Sequence, residues 1–347
     1  MRKVPAAKIP ESEASETIPG LIKSGIADKT AKISKEKGFR LVPVLPERID
    51  EISQKYEICE TDSHTLERLT PQERILHRLS DLPVDIKEKL PTKWESVGEI
   101  IILKLDESCR GFKETIGKTY AEVLNADTVC ADISGVSGEF RRPSMEILYG
   151  NKTESVRPEN GILYDFDVTK VMFASGNTDE RMRMRTLDCT GETVVDMFAG
   201  IGYFTLPLAK FTGLRKIFSC EKNPESYGFL LKNIELNGLK DKVIPMLGDN
   251  RGIPGKKFAD RILMGYVQTT SLFLPKALDL IKPGGIIHYH DTFPAGEHEK
   301  YVNNVFSSVC KDYEILEIRE VKSFAPGISH YVADVKISDR FSRAAGR

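Results

Sequence analysis

The chain is 347 residues long, enough for about two domains with a sizeable buried core. Charged residues make up 29% of the chain and the formal net charge is −1, so a surface for nucleic acid must be a local basic patch. No apolar run approaches the roughly 20 residues of a membrane span, and we expect no membrane partner.

Cysteine and histidine spacing argues against disulfides and against a metal. The six cysteines are scattered, without a Cys-x-x-Cys pair. His288 and His290 alternate along a predicted strand, but no third ligand lies at a useful spacing, so no metal is expected. The scattered cysteines, and an N-terminus unlike a secretory signal, favour the cytoplasm. A monomer is favoured, although the sequence leaves the oligomeric state open.

Residues 1–70 are predicted to be a weakly structured, partly flexible N-terminal extension. Residues 1–40 contain nine Lys and Arg residues, five acids and few large apolar side chains. This composition is typical of a solvated tail. A basic arm that touches an RNA backbone is the alternative interpretation.

Residues 71–168 are predicted to form a small α/β domain. Residues 97–105 read as a strand, residues 111–124 as a helix, and residues 162–168 alternate like a half-buried strand. A basic loop at residues 141–143 makes the domain a candidate contact for nucleic acid, although a plain exposed loop is the simpler interpretation.

Residues 169–347 alternate between strand and helix patterns, after a predicted capping box at Asn177–Glu180. The last two strands have no long helix between them and are expected to pair antiparallel. Such a series is typical of a Rossmann-like class I transferase with a seven-stranded mixed sheet. The predicted strands are 193–197, 216–221, 243–247, 260–264, 285–290, 314–321 and 330–337, and the helices are 202–212, 224–237 and 271–281.

An apolar strand ending at Asp196 leads through a turn of small residues into a helix, as in nucleotide-binding loops. Glu221 follows about 20 residues after the turn, where an acid commonly binds ribose hydroxyls. The Gly200-x-Gly202 pair has no third glycine, which fits a cofactor without pyrophosphate. Asp249 and Asn250 follow the next strand and can hydrogen-bond adenine. Together these features predict S-adenosylmethionine, with the nucleoside lined by Phe198, Ala199, Gly200 and Gly202.

Four segments resemble the tRNA guanine N1-methyltransferase superfamily of archaea and eukaryotes, over about residues 70–337. They are Val171–Asn177, Glu180–Arg183, Asp196–Phe204 and Phe324–Gly327. The resemblance implies an S-adenosylmethionine-dependent enzyme that acts on tRNA.

Two branches of that superfamily compete. The methyltransferase branch carries an Asn-Leu-Pro type motif after its fourth strand, where this chain has Met264-Gly265-Tyr266-Val267. This version, with His288–Thr292, resembles the wybutosine-synthesis branch. That resemblance implies transfer of a 3-amino-3-carboxypropyl group to a tricyclic guanine derivative at position 37, beside the anticodon of tRNA(Phe). A tRNA guanine(37)-N1-methyltransferase is the alternative, and a non-catalytic tRNA-binding module is a third hypothesis.

The resemblance also implies roles for individual residues. Arg181 would grip the carboxylate of the methionine arm bidentately, unless it only pairs with a neighbouring acid. Ala174 stands where relatives carry serine, so only a backbone contact is expected there. Gly265 belongs to the cofactor site, and no catalytic base is assigned. Lys170, Arg183 and Arg185 are candidates for phosphate contact, with ordinary surface positions as the alternative interpretation.

Overall fold

The computed structural model describes residues 2–63, 69–137 and 142–338. It divides into two compact units, Met1–Ser80 and Asp81–Arg347. The sequence predicted boundaries at residues 70 and 168, and neither is the division that the structure shows. Within the described residues, no helix is both long and apolar enough to cross a membrane.

The first unit is built around an antiparallel sheet whose strands lie in the order β2-β3-β1-β4. Its elements are β1 (Arg2–Pro10), α1 (Glu11–Lys23), β2 (Ser34–Glu36), β3 (Phe39–Pro43), β4 (Ile58–Ser63) and α2 (Pro71–Arg78). Its sheet and α1 share a buried apolar cluster that contains Ala7, Ile9, Leu21, Val42, Val44, Ile52 and Tyr56.

The prediction of a weakly structured extension over residues 1–70 is therefore wrong for the residues described there, which exclude residues 64–68. The reason is visible in β1, whose nine residues include two prolines and two alanines. Ala6 and Ala7 are fully buried on this strand, and Pro19 lies inside α1. Composition alone does not distinguish such a sheet from a tail, because the stabilising contacts join segments far apart in sequence.

The second unit begins with a smaller sheet in the order β5-β6-β7-β8. Only β6 and β7 run parallel, and α4 connects them. A Cβ on Gly117 would lie 2.6 Å from the Leu148 Cβ, so glycine lets α4 approach β8 closely. The elements are α3 (Val84–Lys87), β5 (Trp94–Val97), β6 (Ile100–Leu103), α4 (Lys113–Leu124), β7 (Thr128–Ser137), β8 (Arg142–Tyr149), and the hairpin of β9 (Glu154–Glu159) and β10 (Ile162–Asp167).

The larger sheet has seven strands in the order β13-β12-β11-β14-β15-β17-β16. The first five run parallel, β16 and β17 pair antiparallel as predicted, and β17 also pairs antiparallel with β15. Its strands are β11 (Thr193–Asp196), β12 (Lys216–Glu221), β13 (Val243–Leu247), β14 (Ala259–Met264), β15 (Ile281–Pro294), β16 (Tyr313–Ala325) and β17 (Ile328–Ile337). The helices are α5 (Thr178–Met184), α6 (Thr205–Phe211), α7 (Pro224–Leu236), α8 (Leu274–Leu280) and α9 (His298–Ser307).

Each face of this sheet packs against its own apolar cluster. Val194 and Val195 are neighbours on β11 and belong to opposite clusters, as the two-residue period of a strand requires. Both faces are thus covered, and the strand ends remain as the place for a ligand. The predicted Rossmann-like α/β fold is confirmed, whereas α9 was missed.

Candidate active site

The loop between β11 and α6 is held by a buried carboxylate. Asp196 accepts hydrogen bonds from the Phe198 N–H at 3.1 Å and the Thr205 hydroxyl at 2.8 Å. Burial raises the pKa of Asp196 to about 6. Gly200 and Gly202 take φ values of +56° and +101°, which favour glycine. Asp196 therefore stabilises the conformation of this loop.

Glu221 lies at the end of β12 and faces the same loop. Its two carboxylate oxygens accept the Gly200 and Asn223 backbone N–H groups, each at 2.7 Å. Burial raises the pKa of Glu221, and the backbone hydrogen bonds oppose that rise. The carboxylate is thus fixed beside the glycine turn, where the sequence predicted a ribose contact.

Asp249 and Asn250 follow β13. Arg251 donates to Asp249 through its backbone N–H and guanidinium, at 2.6–3.0 Å, and these bonds hold the pKa of Asp249 well below its usual range. The Asn250 amide donates to the Met197 carbonyl at 2.9 Å. Both side chains are therefore positioned by the protein before any ligand arrives.

These residues border a cavity of about 310 Å³. Eight of the ten predicted site residues line it, namely Ala174, Arg181, Phe198, Gly200, Glu221, Asp249, Asn250 and Gly265. Ala199 and Gly202 do not line the cavity. Ala199 is fully buried, and Gly202 donates its N–H to the Ala199 carbonyl. Both residues therefore stabilise the loop conformation without facing the cavity.

Three polar atoms of the cavity lining are buried without a hydrogen-bond partner. They are Asn177 Oδ1, Asn223 Nδ2 and Asn250 Oδ1. An unsatisfied buried polar group costs about 1–3 kcal/mol, so such atoms point to a polar ligand. Donors and acceptors beside a carboxylate pair fit the ribose and adenine of S-adenosylmethionine.

Aromatic rings form one wall of the cavity. Phe198 stacks on Tyr266 with ring centroids 5.0 Å apart, and Phe273 meets Phe198 edge-on at 5.1 Å. A Cβ on Gly265 would lie 2.6 Å from the Phe204 ring, so this position requires a glycine to keep that ring in place. The residues after β14 thus build a flat apolar surface suited to a planar base.

Arg181 lines the cavity, but its guanidinium already donates hydrogen bonds to other residues of the chain. Its Nε and Nη2 donate to the Glu159 carboxylate at 2.5 and 3.0 Å, and its Nη1 donates to the Ala174 carbonyl at 2.9 Å. The side chains of Arg181 and Glu159 are only 3% and 9% exposed. A bidentate grip on a ligand carboxylate is therefore not the role that this arrangement supports. Arg181 instead fixes the Ala174 backbone.

A buried charge network lies behind α5. His288 Nδ1 is 2.6 Å from Asp334 Oδ1, and its Nε2 is 2.8 Å from Arg261 Nη1. Since a carboxylate accepts and a guanidinium donates, Nδ1 carries the proton. Arg183 binds Glu180 at 2.6 Å and Asp334 at 3.1 Å in this network, so its guanidinium is already paired within the protein, and its phosphate contact stays a prediction.

A histidine of β17 reaches the cavity, and a histidine of β15 lies beside it. His290 is buried, stacks on Phe204 at 5.2 Å, and lies 3.1 Å from His330 between ring nitrogens. His330 itself lines the cavity. The described residues hold no group of three or more His, Cys, Asp or Glu side chains arranged for a metal ion.

Several lining residues were missed by sequence reasoning. Lys322, Phe324 and His330 come from the final hairpin, more than 100 residues after the glycine turn. The Phe324–Gly327 segment was noted only as a resemblance. Asn177 was predicted to cap α5, but its side chain makes no capping hydrogen bond. The predicted nucleic-acid loop lies partly outside the described residues, and Arg142 pairs with Glu225 at 2.7 Å.

This strand order, with a glycine turn after β11 and carboxylates after β12 and β13, defines a Rossmann-like transferase dependent on S-adenosylmethionine. Two family models match the chain, the TRM5/TYW2 methyltransferase domain over residues 155–318 and the TYW2 N-terminal domain over residues 73–153. The chain belongs to the TRM5/TYW2 family, which confirms the predicted superfamily.

Curated relatives and solved structures agree with this assignment. The chain is 41% identical over 261 residues to the tRNA(Phe) (4-demethylwyosine(37)-C(7)) aminocarboxypropyltransferase of Pyrococcus horikoshii, covering 74% of this chain and 93% of that protein. It is 33% identical over 340 residues to the tRNA (guanine(37)-N(1))-methyltransferase Trm5b of Pyrococcus abyssi, covering 96% and 99%. The structure of P. horikoshii TYW2 in complex with MeSAdo matches with a TM-score of 0.70, at 38% identity over 77% of this chain and 99% of that chain.

Proposed function

We propose that this chain is a tRNA(Phe) (4-demethylwyosine(37)-C(7)) aminocarboxypropyltransferase of the cytoplasm. It transfers the 3-amino-3-carboxypropyl group of S-adenosylmethionine to a tricyclic guanine derivative and releases methylthioadenosine. The observation that carries the proposal is the 41% identity to the relative of that name, together with the match of residues 73–153 to the TYW2 N-terminal domain.

The cavity supplies a partner for each part of the co-substrate. Glu221 is assigned to the ribose hydroxyls, and Asp249 with Asn250 to adenine, because these groups are already oriented by the protein. When bound, S-adenosylmethionine supplies a sulfonium that activates the γ-carbon of its aminocarboxypropyl arm. The stacked Phe198 and Tyr266 rings offer a surface for the acceptor base.

The protein's contribution is mainly positioning. Correct orientation of two reactants supplies on the order of 7–11 kcal/mol in favourable cases. The carbon presented to the acceptor decides which group is transferred, so the residues that hold the arm decide between methyl and aminocarboxypropyl transfer. Arg181 acts here by fixing the Ala174 carbonyl rather than by binding the arm.

A tRNA guanine(37)-N1-methyltransferase is the second candidate, and one observation favours it. The Trm5b relative covers 96% of this chain, leaving out about 14 of 347 residues, and so includes most of the N-terminal unit. The segment after β14 favours the first candidate, because Gly265-Tyr266-Val267 stands in place of an Asn-Leu-Pro type motif.

Dual labelling separates the candidates. The full chain is incubated with S-adenosylmethionine labelled in either the methyl or the carboxyl group, and with tRNA carrying either 4-demethylwyosine or guanosine at position 37. We expect carboxyl label on the 4-demethylwyosine tRNA alone. Methyl label on the guanosine tRNA would establish the second candidate. No label on either tRNA would indicate a non-catalytic tRNA-binding module.

A further inference from the structure

Phe324 is an aromatic residue of the cavity lining that also faces solvent. It is 43% exposed, so it lies where the cavity opens to solvent. Among the described residues, no other ring contacts the Phe324 ring. The remaining phenylalanines and tyrosines of the lining each contact a second ring, and they are Phe198, Tyr203, Phe204, Tyr266 and Phe273. Phe324 therefore keeps a flat apolar face available at the opening of the cavity.

A β-bulge in β16 places this ring. Ser323 pairs with Ser329 and Ala325 pairs with Ile328, so Phe324 is the extra residue between the two pairs. The extra residue of a bulge lies outside the strand ladder, and the local bend changes where its side chain points. Bulges are over-represented next to active sites for this reason. The fold thus contains a local irregularity that directs the Phe324 ring.

The hairpin tip that carries Phe324 is rigidly held. Pro326 and Gly327 connect β16 to β17, and Gly327 has a φ of +72°, which is typical of a type II turn with proline before glycine. The Ala295 N–H donates to the Gly327 carbonyl at 3.0 Å and ties the tip to the end of β15. A ring on a preformed element loses little conformational freedom when a ligand stacks on it.

The position of the hairpin indicates which ligand group Phe324 meets. Glu221 and Asp249, assigned to adenosine, follow β12 and β13 at one edge of the large sheet, whereas β16 forms the other edge. Phe324 thus borders the part of the cavity away from the adenosine groups. Two groups remain for this part, the charged aliphatic arm and the flat acceptor base. Because aromatic side chains bind unpaired bases by stacking, the ring suits the base.

We propose that Phe324 stacks on the base at position 37 after that base has left the anticodon loop and entered the cavity. An enzyme that acts on a base takes it out of its stack, and a protein ring replaces part of the lost contact. The inference rests on the proposed function and deepens it, because it names a residue that recognises the acceptor. A tricyclic base offers a larger flat area than guanine, so Phe324 favours the tricyclic acceptor.

The test is equilibrium binding of tRNA to the full chain, measured by fluorescence anisotropy. Methylthioadenosine is present throughout, and as a neutral thioether it donates no group. Three forms of tRNA(Phe) are compared, with 4-demethylwyosine, guanosine or an abasic site at position 37. For Phe324→Leu we expect about 10- to 100-fold weaker binding of the 4-demethylwyosine tRNA, a smaller loss for the guanosine tRNA and no change for the abasic tRNA.

Matched variants show whether a flat ring is what matters. Phe324→Tyr and Phe324→Trp keep an aromatic face and should retain most of the affinity for the 4-demethylwyosine tRNA. Phe211→Leu removes another exposed phenylalanine, one that is 39% exposed and lies outside the cavity lining, and should change none of the three affinities. Calorimetry with methylthioadenosine alone should give the same affinity in all four variants.

The outcomes separate the inference from the proposed function. Equal losses for all three tRNAs in Phe324→Leu, or no loss for any, would overturn the stacking assignment. Weaker binding of methylthioadenosine in that variant would place the ring against the co-substrate and overturn it as well. Tighter binding of the guanosine tRNA than of the 4-demethylwyosine tRNA by the unmodified chain would count against the proposed acceptor. The abasic comparison would still decide whether Phe324 contacts base 37.

Discussion

The two compact units are stabilised in different ways. Met1–Ser80 is an antiparallel sheet whose ion pairs lie at the surface, such as Lys3 with Glu60, both 72% exposed. Asp81–Arg347 has exposed ion pairs as well, such as Lys240 with Glu235, but it also buries several, such as Arg181 with Glu159, which are 3% and 9% exposed. Exposed pairs add little stability, whereas breaking a buried pair leaves an uncompensated charge. The second unit is therefore the one in which single polar substitutions have large effects.

The two units also differ in their relatives. Residues 1–72 lie outside both family models, and the P. horikoshii aminocarboxypropyltransferase covers 74% of this chain. The Trm5b relative covers 96%. We therefore assign the chemistry to the second unit, and the predictions below test whether the two units can be perturbed separately.

The largest effect is expected from Arg261→Met. Arg261 is 5% exposed and binds Glu192 at 2.7 and 2.9 Å as well as His288. Its loss leaves the partly buried Glu192 without its guanidinium partner and removes the donor to His288, which together cost about 3–5 kcal/mol. Denaturant unfolding with hydrogen exchange should show this loss in the second unit. Adding Glu192→Gln should recover part of the stability, and full stability of the single variant would contradict the account.

Ile9→Ala is the corresponding test in the first unit. Ile9 is fully buried in the apolar cluster of that unit, and its truncation should cost about 2–5 kcal/mol. We expect faster hydrogen exchange in β1, β3 and β4 with unchanged binding of S-adenosylmethionine. Hydrogen exchange in these strands of the unmodified chain that is as fast as in an unfolded peptide would show that the unit is not folded.

Glu221→Gln should weaken S-adenosylmethionine binding by about 1.5–3 kcal/mol, the usual value for a hydrogen bond to a charged group. Methylthioadenosine should be weakened equally, because both ligands carry the ribose. Glu13→Gln in the first unit is the control, since that carboxylate accepts from the Tyr56 hydroxyl at 2.8 Å and lies outside the cavity lining. Unequal losses of affinity for the two ligands would contradict the assignment of Glu221 to the ribose.

The smallest effect concerns pH. Burial and neighbouring cations lower the pKa of His290 to about 3, and burial lowers the pKa of His288 as well. Because both histidines take up protons less readily in the folded than in the unfolded state, their stabilisation is present above about pH 6.5 and is lost on acidification. His290, with its folded-state pKa of about 3, contributes a slope of up to roughly 1.4 kcal/mol per pH unit between the two pKa values. The raised pKa of Asp196, about 6, has the opposite effect on stability below pH 6, because this carboxyl takes up a proton more readily in the folded state.

His290→Phe keeps the stack on Phe204 and removes one titrating group. Stability of the second unit, measured from pH 6.5 to 5, should depend less steeply on pH in this variant. The first unit does not contain His290 and is the control, so its stability should be the same in the variant and the unmodified chain. Identical slopes in the variant and the unmodified chain would contradict the assignment of His290 as neutral.

The sequence predicted the second compact unit better than the first. The strands 216–221 and 243–247 were placed at their observed bounds, because short apolar stretches bounded by turn residues are typical of strands. The first unit was missed because prolines and alanines form its central strand. Glu221 and Asp249 were found because they follow strands at fixed distances from the glycine turn.

The rest of the site depends on contacts that the sequence does not reveal. Lys322 reaches the cavity through a bulge, and a one-residue shift of that kind has no clear pattern in the sequence. Arg181 was identified, but its partner Glu159 lies 22 residues earlier on β9 and changes its role. Side-chain partners of this kind are settled only by tertiary structure.

The central claim is tested most directly by the co-product. The full chain is incubated with S-adenosylmethionine and tRNA(Phe) carrying 4-demethylwyosine, and methylthioadenosine and S-adenosylhomocysteine are quantified against modified tRNA. The account predicts one methylthioadenosine for each modified tRNA and no S-adenosylhomocysteine above background. Formation of S-adenosylhomocysteine in step with tRNA modification would show methyl transfer and contradict it.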